Sequence, residues 1–172
     1  MCVSIVFGLN MASTKLTDVT DRVGELGRVY EYGIRIGRKG LFPDDIEAVT
    51  RLFADPDVIF EVHDLPEPHC ACDIDDDIRS ASKMDKKSKF FDFVGEVLGC
   101  EGMKSISVLF FEERLPDDSN TRRQMGNYDD FEELINRWNT WKVEGFEPTR
   151  RAYFIADDTP LLFTFTGNKF SQ

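Results

Sequence analysis

The chain has 172 residues, is 41% apolar and 12% aromatic with 15 Phe, and carries a formal net charge of −11. That length favours one domain with a real core, and the aromatic content excludes a disordered chain. The charge excludes a surface that as a whole attracts nucleic acid or membrane phosphates, because both are polyanionic.

The charge is concentrated. Between Pro43 and Asp77 lie twelve acidic residues and one basic residue, Arg51, while Lys+Arg and Asp+Glu balance over the rest of the chain. A localised field of this kind attracts a basic partner. No apolar run reaches the ~18 residues of a membrane helix. The start, MCVSIVFGLNMAS, lacks a basic n-region and a clear cleavage motif, so it reads as a first strand rather than a signal peptide. Four cysteines without an export signal fit reduced thiols and a cytoplasmic location.

In chain order, Cys2 to Leu9 is a nearly continuous apolar run, the pattern of a buried strand. A helix is expected after Ser13, with Leu16, Val19, Val23 and Leu26 at helical spacing and Gly27 as its stop. Arg28 to Gly37 alternates and reads as a strand with one wet face. Pro43-Asp44-Asp45 opens a helix whose apolar stripe is Ile46, Val49 and Phe53; Asp55-Pro56 ends it. Val58 to Leu65 is a strand with Val58, Phe60 and Val62 on one face and Ile59, Glu61 and His63 on the other. Residues 66–83 read as a long acidic loop, with room for a short helix inside 75–84. Lys86 to Leu98 is a helix with Phe90, Val94, Val97 and Leu98 inward, stopped by Gly99. Phe90, Phe91 and Phe93 are too many aromatics in four positions to face one core, which raises the prospect of burial against a neighbouring subunit. Ser105 to Glu112 is a central strand, and Leu115 to Gly126 a polar loop. Asn127 caps a helix with Phe131, Leu134, Ile135 and Trp138 on one stripe. Arg151–Ala156 and Leu161–Thr166 make a hairpin.

Alternating strands and helices suggest a parallel sheet. The wet strand faces and the terminal hairpin point the other way. The expected fold is α+β: a single domain over 1–172, with a mixed, mostly antiparallel sheet of five to six strands and about four helices.

Several segments carry donors for chemistry. His63, His69, Cys70 and Cys72 place four N/S donors within ten residues, enough in number for a tetrahedral zinc site. The Cys-x-Cys and His-Cys spacings differ from the usual two-residue gaps, so solvent histidines and reduced thiols are the simpler account. Asp73-x-Asp75-Asp76-Asp77 begins like a calcium loop. However, the positions that need glycine and glutamate hold Ile78 and Met84. Asp57, Glu61 and His63 only superficially resemble a nuclease site, and the local charge repels a polyphosphate. Gly33 to Gly40 is glycine-rich and basic but lacks the Gly-Lys-Ser/Thr of a phosphate loop; its glycines serve positive φ at a strand end. No Gly-x-Ser-x-Gly elbow or paired nucleophile and base is present.

The residues therefore point to a binding protein rather than an enzyme, with no cofactor implied. The expected function is that of an acidic inhibitor, such as a bacterial immunity protein or antitoxin. It would cover the cationic active site of a basic, nuclease-like toxin, with carboxylates taking the place of phosphates. The carboxylates expected to do so are Glu61, Asp64, Glu67, Asp73, Asp75, Asp76 and Asp77. The alternative is a small-ligand or metal-binding domain, or an enzyme, with a pocket near His63, His69, Cys70 and Cys72.

Overall fold

A computed structural model describes residues 3–37, 49–53, 55–65, 70–84, 86–112, 119–140 and 160–165. The expected segments at Pro43–Asp45 and Arg151–Ala156, together with Glu67, His69, Arg38 and Lys39, lie outside the described residues.

The elements are β1 (Val3–Met11), a 3-10 turn (Ser13–Lys15), α1 (Leu16–Tyr30), β2 (Gly33–Ile36), β3 (Val58–His63), α2 (Cys72–Lys83), α3 (Lys89–Leu98), β4 (Met103–Glu112), β5 (Arg122–Gly126), α4 (Tyr128–Thr140) and β6 (Leu161–Phe165). The strands form one six-stranded sheet in the order β2-β3-β1-β4-β6-β5. Every neighbouring pair is antiparallel except β5 with β6, which is parallel. The architecture is α+β, with a mixed, mostly antiparallel sheet.

The sheet grows outward from β1. This strand is flanked by β3 and β4, and the register sets Phe7 opposite Phe60 and Ile5 opposite Phe110. Directly paired residues share a face, so these side chains form one apolar surface under the helices. Phe7 stacks on Phe60 with ring centroids 4.6 Å apart and meets Phe93 edge-on at 5.9 Å. Phe90 reaches Phe110, and Phe131 of α4 packs on Phe91, Phe110, Phe163 and Phe165. Among the helices, α1 packs on α3, and α2 packs on both α3 and α4.

The opposite face carries Gly8. A Cβ at this position would lie 2.5 Å from the Phe53 ring, so glycine lets a helical turn at 49–52 and Phe53 settle on the middle of the sheet. Val49, Leu52 and Phe53 are buried there. Arg123 of β5 donates to the Leu52 carbonyl at 3.1 Å.

Several expectations are corrected. Gly27 does not stop α1; the helix runs on to Tyr30 and ends on Glu31, whose φ is +59°. Gly27 is instead where β2 doubles back over the helix, since a Cβ there would lie 2.3 Å from Ile34 Cγ1. Residues 28–30 are therefore helical and the second strand is only Gly33–Ile36. Leu16 is exposed. The strand expected over Val58–Leu65 is Val58–His63, and all six of its residues are buried, so both of its faces are covered. The acidic stretch 66–83 is helical from Cys72 onward. Part of the expected loop 115–126 is strand β5, which takes its order from β6 beside it.

Phe90, Phe91 and Phe93 are all buried within this one chain. α3 is overlaid on more than one side: Phe90 and Phe93 face Phe7 and Tyr32, while Phe91 faces Phe131 of α4. No neighbouring subunit is needed to cover them. The helix starts at Ser88, whose side chain accepts from Phe90 N at 3.1 Å. In α4 the cap is reciprocal: Asn127 Oδ1 accepts from Asp130 N and Asp130 Oδ2 accepts from Asn127 N, an aspartate version of the capping box.

Phe90 contacts three described rings outside its own helix turn, Phe7, Tyr32 and Phe110, besides Phe91 and Phe93 within it. Phe90→Ala is predicted to cost about 3–5 kcal/mol of stability, read as the shift of a urea unfolding midpoint at unchanged slope. A cost below about 1 kcal/mol would mean that the core is not built around α3.

Candidate functional site

The acidic window is sorted by the turn between β3 and α2. β3 ends at His63, and the chain returns at Cys70, where Asp64 N donates to the Cys70 carbonyl at 2.6 Å. Ala71 N donates to the Val3 carbonyl at 2.9 Å, fixing the return to β1. α2 then starts with its free amides facing Asp64. The carboxylate accepts from Asp73 N at 2.8 Å through Oδ2 and from Ile74 N at 3.1 Å through Oδ1. Two of the orphan donors of the helix start are thereby satisfied.

This geometry separates the predicted partner-binding carboxylates. Glu61, Asp64 and Asp75 are buried, at 5%, 8% and 1% exposure. Glu61 sits opposite Arg35 across the β2–β3 pair and forms an ion pair with it at 3.5 Å. Asp64 is spent on the helix start. Asp73 and Asp76 are exposed, and Asp77 is half-buried, accepting a short hydrogen bond from the Ser88 hydroxyl. Residues 73, 76 and 77 stand at i, i+3 and i+4, so they share a face of α2. Ile74, Ile78 and Ala81 form its buried side. Asp57, also in the acidic window, accepts from Met11 N at 2.8 Å.

Of the donors of the alternative site, His63, Cys70 and Cys72 are described. The His63 ring is buried and packs on the backbone of Gly33, its cross-strand partner, where an added Cβ would overlap the imidazole. His63 Nδ1 lies 2.8 Å from the Asp64 carbonyl. A carbonyl only accepts, so Nδ1 carries the proton. Cys70 and Cys72 are half-buried with sulfurs 2.7 Å apart. Among the described residues no group of three or more His, Cys, Asp or Glu side chains is arranged to hold a metal ion. Asp57, Glu61 and His63 are each engaged with a different partner and do not converge.

Two open grooves flank α3. One, of about 450 Å³, is lined by Lys15, Asp18, Arg22, Glu96, Cys100 and Glu101. Its charges pair locally, as Lys15–Glu101 and Arg22–Glu96. The other, of about 540 Å³, brings together Tyr30, Lys87, Asp92, Glu96 and Tyr128. Lys87 lies 3.2 Å from Asp92 and 4.9 Å from the Tyr128 ring centroid, and the Tyr128 hydroxyl donates to the Phe91 carbonyl at 2.7 Å. A hydrogen bond to Tyr128, with Asp92 adding to it, raises the Lys87 pKa above the ordinary lysine value, so this amine stays charged and is not a base. The sequence does not signal this cluster, because its members come from α1, the α2–α3 link, α3 and α4.

Comparison with protein-family models, characterised proteins and solved structures finds no match. No helix among the described residues is long and apolar enough to cross a membrane.

Burial pushes the Asp64 pKa above the usual carboxylate range, outweighing the amides of Asp73 and Ile74, which lower it. The folded chain thus holds this proton more tightly than the unfolded chain. Stability contributed through Asp64 therefore falls as pH rises from the ordinary carboxylate value to the raised one. Asp64→Asn turns an NH₂ group towards a helix amide and is predicted to cost on the order of 1–2 kcal/mol. That cost should shrink as pH rises through the same window, because only the wild-type chain titrates there. Urea midpoints across the acidic range check both; a cost that grows with pH would contradict the assignment.

Proposed function

We propose that this protein binds and inhibits a basic protein partner through the outward carboxylates of α2, as an immunity protein or antitoxin would cover a cationic, nuclease-like active site. The observation that carries this reading is the exposed pair Asp73 and Asp76 on one helix face, inside the window that holds the whole net charge of the chain. A helix is a rigid mount, so the carboxylates keep a fixed spacing against which a cationic cleft can be matched. Asp77 extends the face, while its bond to Ser88 ties it to the start of α3. Glu67, also expected from the sequence to contact the partner, lies outside the described residues.

Buried carboxylates contribute to this reading only indirectly. Glu61, Asp64 and Asp75 are part of the frame, and replacing them tests folding rather than binding. The informative change is confined to the exposed pair. Asp73→Lys with Asp76→Lys is predicted to leave the unfolding midpoint nearly unchanged and to slow association with the basic partner by about tenfold or more at low salt. The slope of the rate against salt should flatten. The measurement starts with the tagged full chain, capture from its native lysate at low salt, and elution in a salt gradient. A stoichiometric basic protein, held by wild type, lost by the double variant and inhibited by the wild-type chain, is the expected result. A partner held equally by both chains would overturn the assignment of the face.

A further inference from the structure

Cys70 and Cys72 approach each other more closely than sulfur atoms in ordinary van der Waals contact. Their separation is 2.7 Å, against ~2.05 Å in a disulfide. The backbone holds them there from both sides. The Cys70 carbonyl accepts from Asp64 N, Ala71 N donates to Val3, and the Ala71 carbonyl accepts from Asp75 N at 3.0 Å. Cys72 N also points at Cys70 Sγ, at 3.4 Å. Both residues are half-buried, so a small molecule can reach them. Residues two apart are at most about 7 Å apart at Cα, so a bridge between them is compatible with disulfide geometry.

We propose that Cys70-Ala71-Cys72 is a redox-active dithiol that closes to an intramolecular disulfide by exchange with a small disulfide of the oxidised-glutathione class. The thiolate of one cysteine attacks a sulfur of the small disulfide, breaking its S–S bond. This gives a mixed disulfide and releases one small thiol, which takes the proton. The second cysteine then attacks the protein sulfur of the mixed disulfide, forming the Cys70–Cys72 bond and releasing the second small thiol. The two protein thiols are oxidised by two electrons, and the small disulfide is reduced to two thiols. The reverse sequence, driven by excess small thiol, reopens the pair. The site does not depend on the carboxylate face for its chemistry.

Cys100 is the internal reference. Its thiol donates to the Glu96 carbonyl at 3.6 Å, and burial pushes its pKa up. It has no second described sulfur beside it, so it can reach a mixed disulfide but not a closed ring.

The test uses the full chain carrying Cys2→Ser and Cys100→Ser, exposed to oxidised glutathione, quenched in acid and alkylated before intact-mass and peptide analysis. The expected product has lost two hydrogen atoms, takes up no alkylating group and carries its bridge within the peptide that spans 70–72. Excess reduced glutathione should restore both thiols. Adding Cys72→Ser should instead leave one glutathionyl group on Cys70. Because the fold pre-positions the sulfurs, closure should be at least about tenfold faster in the native chain than in urea. Two separate glutathionyl groups, no reaction, or closure no faster than in the unfolded chain would each overturn the proposal. In the chain with all four cysteines, a bridge from Cys70 or Cys72 to Cys2 or Cys100 would also overturn it.

Discussion

The Asp64 carboxylate, held by the amides of Asp73 and Ile74, organises the acidic half of this protein. An α-helix leaves its first amides without internal partners, and a carboxylate is the strongest acceptor for them. With Asp64 set at the end of β3 and its own amide bonded to Cys70, α2 has one place to begin. Once it begins there, its residues are sorted. Ile74, Asp75 and Ile78 turn inward, and Asp73 and Asp76 turn outward. A run that would otherwise repel itself as a loop becomes a helix with acids in its first turn, where the macrodipole favours them.

The frame that holds Asp64 is aromatic. Phe7 and Phe60 stack across β1 and β3, and α3 lays Phe90 and Phe93 on the same surface. Tyr32, at the turn between α1 and β2, joins this group from the side; burial raises its hydroxyl pKa, and the nearby Asp77 and Asp64 charges add to the shift. The aromatic core and the acidic turn thus meet at one end of β3. The Glu61–Arg35 pair, on the other face of the same strand, fixes how β2 joins the sheet.

Much of this was legible in the residues. The apolar run of β1, the stripe of Phe131 and Ile135 behind Asn127, and the long strand before Glu112 read correctly because local pattern and final environment agree. The misreadings share a cause in contacts distant along the chain. Glu61 and His63 look like site residues until Arg35 and Gly33 are placed opposite them. Gly27 looks like a stop until Ile34 is seen to need its missing Cβ. The apolar stripe of α2, Ile74 and Ile78, is thin, and its cap lies nine residues upstream, so local signals suggested a loop. For the site, composition located the acidic window but not which carboxylates face outward, since that depends on the phase of α2 set by Asp64.

The central claim is this division of one acidic window into an inward and an outward set. Carboxyl footprinting of the native chain, with a water-soluble carbodiimide and a neutral amine followed by peptide mass analysis, tests it most directly. Asp73 and Asp76 should be modified about tenfold faster or more than Glu61, Asp64 and Asp75, with the difference vanishing in urea. Comparable rates at all five carboxylates in the native chain would contradict the account.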